Sequence, residues 1–223
     1  MAIDSDDTGK AKRIRVSKDE SSKLQGDVVS IVVGPKKELY RVHPGLARTS
    51  SPFIDKALTG TWKEQANHTI QLPNEEPEIF GTYVQWLYFG TLPVIGGGAE
   101  PEFLQLVKAY VLGNKLLDTG FQNALIDAII ERRRAKNADG RCSAPTMATI
   151  NHAYLNTTPS APIRQLLVDI SANRTTSPKW LKHPETDLPQ AFLLDLVAKL
   201  LDRRAVKQLP LQASDYHVNE TDA

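Results

Sequence analysis

The chain has one cysteine, Cys142, in 223 residues. A lone cysteine excludes an internal disulfide and any cysteine-based zinc site, and it suits a reducing compartment. Long apolar runs are lacking too. Nothing approaches the roughly 20 apolar residues that a membrane helix needs, and the opening "MAIDSDDTGK" has no apolar core of the signal-peptide kind. Neither sign of charge dominates: 27 Lys and Arg against 26 Asp and Glu give a formal charge of +1, so bulk electrostatics offers no reason to seek nucleic acid or anionic lipid. The hydrophobic fraction of 41% and charged fraction of 24% are those of a globular protein long enough to bury a core without staples. These features predict a chain of the cytoplasm, the nucleus or both.

Familiar catalytic and metal-binding patterns are also missing. The five histidines, His43, His68, His152, His183 and His217, lack metal-ligand spacing. Gly96-Gly97-Gly98 has neither the lysine nor the strand-to-helix setting of a phosphate loop. Ser50 or Ser51 with His43 and Asp55 has no nucleophile elbow, and Glu75 with Glu76 reads as charge complementing a helix start. The expectation is a non-enzyme with no cofactor, no metal and no small-molecule substrate.

What is present has a clear order. Residues 1–23 form a polar leader, acidic and then basic ("KAKRIRVSK"), with too little apolar surface to offset the entropy of ordering; Ile14-Arg15-Val16 alternates like a short edge strand. The run "VVSIVV" reads as a strand buried on both faces, and Gly34-Pro35-Lys36-Lys37 turns it into a second strand, "ELYRV". Two short helices follow, opened by Pro44 and Pro52, with Leu46, Phe53, Ile54, Ala57 and Leu58 facing inward. "HTIQLP" is a third strand, and the helix opening at Pro77 closes at Gly90. The glycine-rich "TLPVIGGGAEP" is a loop with room for one short strand.

Amphipathic helices are predicted over 101–117, carrying Phe103, Leu106, Val107, Tyr110 and Leu117, and over 119–134, closed by "ERRRAK", whose positive charge suits a helix C-terminus. "NADGRCSAP" is the best internal boundary. Three further helical pieces, near 147–154, 163–170 and 192–201, make an extension over 145–204, and 205–223 is a tail that frays. One stretch is out of character. "TWKEQ" places Trp62 in a polar turn two residues before Glu64, where a lone tryptophan ordinarily reads as a lid on the core, here over Phe53 and Leu58.

The segments "GDVVSIVV", "YRVHPGLARTSSPFIDKAL", "WKEQANHTIQLPNEEPEIF" and "VQWLYFGTL" follow one another in an order that closely resembles the BTB/POZ domain, across roughly residues 24–134. "QWLYFG" looks especially like the fungal members, and "APTMATINHAYLNTTP" with "IRQLLVDI" looks like their C-terminal helical extension. The resemblance implies a mixed α/β fold, a small sheet capping a helical cluster, used for protein-protein binding and typically for homodimers. Many members dock onto a cullin, the scaffold of a ubiquitin ligase, as adaptors. In those, a hydrophobic residue, any residue and a glutamate precede the third strand, and this motif falls on Trp62-Lys63-Glu64, with Tyr88 where a further cullin contact is common. One departure is Pro44, which stands where members often carry a basic residue that pairs with an acid at the position of Asp27. The other implied reading is a self-associating scaffold in transcription or chromatin, favoured if "KAKRIRVSK" directs nuclear import.

Overall fold

The structure, a computed structural model, describes residues 17–59, 69–96, 100–137, 140–174 and 188–203. In chain order these hold helical turn α1 (Asp19–Ser22), strands β1 (Val29–Val33) and β2 (Glu38–Val42), helices α2 (Pro44–Ser50) and α3 (Pro52–Thr59), and strand β3 (Thr69–Leu72). Helices α4 (Pro77–Phe89), α5 (Glu102–Leu116), α6 (Thr119–Arg134), α7 (Met147–Asn156), α8 (Pro162–Arg174) and α9 (Gln190–Arg203) complete a mixed α/β fold. Proline and glycine set several boundaries as expected. Pro44 and Pro77 occupy first helical positions, where a missing N–H costs nothing, and Gly90 ends α4 in the left-handed region at φ 62°.

Strand order is β2-β1-β3, with β1 antiparallel to β2 and parallel to β3. The register pairs Ile31 with both Tyr40 and Ile70, which puts Val29, Ile31, Val33, Val42 and Ile70 on one buried face. The expectation of a strand buried on both faces is corrected here. Ser30 and Val32 are only partly covered, because helices lie against one side of the sheet and period-2 alternation takes over. No strand forms at 91–96.

A ladder of rings ties the sheet to the helices. Tyr40 meets Phe80 edge-on at 5.0 Å, Phe80 lies 5.9 Å from Tyr83, and Tyr83 meets Phe121 at 5.0 Å. Burying each such side chain contributes about 1.5–3 kcal/mol, and ring-ring geometry adds about 0.5–1.5 kcal/mol. Between the ladder and α5 lies a buried polar group. Ser51 caps α3 by accepting the Ile54 N–H at 3.1 Å and donates to the Leu116 carbonyl at 2.6 Å.

The helices beyond the 135–146 connection add to the same apolar core. Ile150, Ala153, Ile163, Leu167, Phe192 and Leu196 are buried in one cluster with Leu106, Tyr110 and Phe121. Arg164 locks these helices together. Its guanidinium lies 4.4 Å from the Tyr154 ring centre and donates to the Tyr154 carbonyl (2.7 Å), the Thr157 hydroxyl (3.0 Å) and the Thr157 carbonyl. The Tyr154 hydroxyl in turn donates to Asp195 of α9 at 2.7 Å.

Two expectations change at helix edges. Phe53, expected inward, is 39% exposed, because Ile54 takes the buried position of α3 and turns its neighbour outward. Leu117 is 55% exposed; α5 ends at Leu116, and Leu117 adopts φ 58°. The polar leader also carries structure near its end: α1 leads into Lys23, whose backbone crosses Gly45 so closely that a Cβ there would sit 2.6 Å from the Lys23 carbonyl oxygen. Only glycine admits that approach. Ile14 to Val16 and residues 204–223 lie outside the described residues, and no described helix is long and apolar enough to cross a membrane.

Candidate functional site

Two of the three expected site residues, Trp62 and Glu64, lie outside the described residues. In sequence they fall between α3, which ends at Thr59, and β3, which begins at Thr69. Where the start of α3 meets the end of β3 and α5, Phe53, Leu72, Pro73, Leu112 and Leu116 line an open groove of about 250 Å³. Lys115 stands at this groove in an ion pair with Glu75 at 2.8 Å, and the exposed Phe53 ring forms part of its wall. An apolar trough beside a charged pair suits the burial of an apolar side chain from a partner.

The third residue, Tyr88, is turned to an internal task. Its hydroxyl accepts the His43 backbone N–H at 3.0 Å and lies 2.7 Å from His43 Nδ1, so it fixes the start of α2 against the end of α4. The ring is half-buried and meets the imidazole edge-on at 5.8 Å. Its oxygen is engaged on both counts, which leaves only part of the ring surface uncommitted.

Ser51, Asp55 and His43 are each committed to structural contacts. Ser51 is buried as a helix cap, the Asp55 carboxylate accepts from Arg48 at 2.6 Å, and His43 holds Tyr88. Glu75 and Glu76 do more than face a helix start. Glu76 and Glu100 both hold Lys108, at 2.8 and 2.7 Å, which ties α5 to the loops ahead of α4 and α5. Burial lowers the affinity of Lys108 for its proton, but the two carboxylates outweigh that and hold it above the ordinary lysine range. His152 is pushed down, first by burial and then by the neighbouring Lys108 charge. Arg132, expected only to complement the α6 dipole, also bridges to Glu102 of α5 at 2.8 Å.

The most unusual titratable pair is internal. Asp118 caps α6, its Oδ1 accepting the Phe121 N–H at 2.8 Å while Oδ2 accepts the Tyr83 hydroxyl at 3.1 Å. Burial raises the Asp118 pKa, against the stabilising pull of the Phe121 and Tyr83 hydrogen bonds. Tyr83 is raised far above the ordinary tyrosine value, by burial and then by the facing carboxylate. This pair is walled into the core, with Tyr83 fully buried and Asp118 nearly so, and holds α4 to α6.

A second and larger groove, about 560 Å³, opens at the other end of α4, between Trp86, the 91–95 loop and α6. Sequence reading missed it. The available signal was small: two alanines four apart on α6, Ala124 and Ala128, with acids at Asp127 and Glu131. Among the described residues there is no group of three or more His, Cys, Asp or Glu side chains placed to hold a metal ion. No protein-family model matches the chain, and no curated protein matches it.

Proposed function

We propose that this chain is a protein-protein interaction module of the BTB/POZ kind, which pairs with a second copy of itself and docks onto a cullin scaffold through the face around α3 and β3. The observation that carries the reading is the exposed Phe53 ring on an open apolar groove where the start of α3 meets the end of β3. A large ring left on the surface beside a trough is an anchor site of the kind that dominates interface energetics. The element order supports the same reading: an antiparallel hairpin, a helical pair, a third strand parallel to the first, and then α4 to α6. Self-pairing is supported by apolar surface on the outer sheet face, where Val32 lies opposite the exposed Leu39.

In this mechanism Trp62 enters the cullin groove as the apolar anchor, Phe53 adds a second apolar contact, Glu64 pairs at the rim, and Tyr88 contributes its ring. Calorimetric titration with a cullin N-terminal domain tests it. The wild type binds, and a Trp62→Ala, Glu64→Lys variant with an unchanged circular dichroism spectrum loses about 2 kcal/mol or more. Equal affinity of the two proteins refutes the docking motif. A monomer mass in light scattering at micromolar concentration refutes the self-pairing.

A further inference from the structure

The groove at the C-terminal end of α4 plays no part in the docking face proposed above. The two grooves flank opposite ends of a 13-residue helix, about 20 Å apart along its axis. The upper groove has an apolar floor. Trp86, Leu92 and Val94 form one side, and α6 forms the other with Ala124 and Ala128, whose short side chains leave the space open. Ile95 stands at the mouth and is 85% exposed, the most exposed large apolar residue among those described.

Its border is acidic. Asp127 and Glu131 stand one turn apart on α6, and among the described residues neither has an ion-pair partner. Arg132 lines the same groove, but its charge is already met by Glu102 at 2.8 Å. Like charges four apart on a helix destabilise it by a few tenths of a kcal/mol. A cationic occupant would relieve that repulsion, and an apolar one would cover Ile95 and the floor.

From this we infer that the groove receives a peptide segment of another protein in which basic residues alternate with apolar ones. Spacing favours an extended chain. Side chains of Asp127 and Glu131 are separated by about 5–6 Å at their Cβ atoms. Alternate residues of an extended segment repeat about every 6.5–7 Å, so two basic side chains at i and i+2 meet both acids while the residue between them turns toward the floor. A groove of this volume is ample for such side chains. All the residues that line it come from Trp86 to Ala135, so no described part of the N-terminal region covers it.

The test uses the full chain and fluorescence anisotropy with a labelled short peptide in which leucine alternates with lysine. The expected result is a dissociation constant in the micromolar range. It weakens at least about tenfold in an Asp127→Lys, Glu131→Lys variant, and as much when the leucines of the peptide become serines. Both acids are on the surface, so this variant is expected to fold, with circular dichroism as the check. Ala128→Trp, which fills the floor, gives the same loss by a route that leaves the charges in place. The Trp62→Ala, Glu64→Lys protein keeps full peptide affinity, which separates this site from the cullin face.

Three results overturn the proposal. The serine peptide binding as well as the leucine peptide leaves only diffuse charge attraction. Undiminished binding in both groove variants places the peptide elsewhere. A Lys12→Glu, Arg13→Glu, Arg15→Glu chain that binds the peptide tenfold more tightly makes the chain's own "KRIR" the occupant.

Discussion

Replacing Asp118 by alanine should destabilise the fold by about 2–4 kcal/mol, and the sum follows from two separate losses. The first is the α6 cap: Oδ1 accepts the Phe121 N–H at 2.8 Å, and such caps contribute about 1 kcal/mol. The second is the partner of Tyr83, whose hydroxyl donates to Oδ2 at 3.1 Å within the core; a buried donor left without an acceptor costs about 1–3 kcal/mol. For a chain of this size the total is a fall in melting temperature on the order of 5–15 °C, and urea unfolding followed by circular dichroism reads the same change. Asp118→Asn keeps a cap oxygen and can donate from its amide to the Tyr83 oxygen, so it should cost under about 1 kcal/mol. Adding Tyr83→Phe to Asp118→Ala removes the stranded hydroxyl and should recover about 1 kcal/mol or more as a coupling energy. An Asp118→Ala protein within about 0.5 kcal/mol of the wild type, or an additive cycle, refutes the reasoning.

The sign of the pH effect at this residue is also fixed. Burial raises the Asp118 pKa in the folded state, so the native protein holds more protons than the unfolded chain between the ordinary aspartate value of about 3.9 and the raised one. Stability from this group is therefore lost as pH rises through that window, and Asp118→Asn should flatten that part of the profile.

Other consequences follow from the same geometry. Tyr40, Tyr83, Tyr110 and Tyr154 are all raised, by burial first, so stability should hold up to the ordinary tyrosine value of about 10 and fall as pH rises above it; alkaline urea titrations, with phenolate absorbance followed in parallel, check this. Arg164→Ala should cost about 3 kcal/mol or more in thermal unfolding, since it strands the Tyr154 and Thr157 carbonyls and uncovers the Tyr154 ring. Arg164→Lys should restore less than half, for want of the planar fork. Leu117→Gly should stabilise by about 1 kcal/mol in the same assay, because an exposed leucine at φ 58° carries left-handed strain that glycine does not.

Much of the fold was legible because short-range rules govern it. Pro44, Pro52 and Pro77 open helices, Gly90 closes one, and the Gly34 to Lys37 turn joins β1 to β2, so each boundary is written within a few residues of itself. What could not be read depends on distant partners. Nothing in the sequence marks Ser51 as a buried cap bonded to Leu116, 65 positions away; Glu76 looked like a helix-start charge and is held by Lys108 of α5. The Lys23 crossing at Gly45 has no apolar signature, since it is backbone against backbone. Phe53 was misplaced because helical spacing cannot say which of two adjacent apolar residues wins the core when Ile54 stands beside it. The α6 groove was missed for a similar reason: alanines mark space only once Trp86 and Leu92 are known to face them.

The docking claim is tested most directly at a residue the structure describes. A cullin N-terminal domain should be titrated calorimetrically into the wild type and into Phe53→Ser, whose side chain is already at the surface and whose loss should leave the melting temperature within a few degrees. If Phe53 belongs to the docking face, the variant binds at least about tenfold more weakly, a change of 1.4 kcal/mol or more. If wild type and variant bind alike, or neither binds, the face around α3 and β3 is not a cullin dock and the central claim fails.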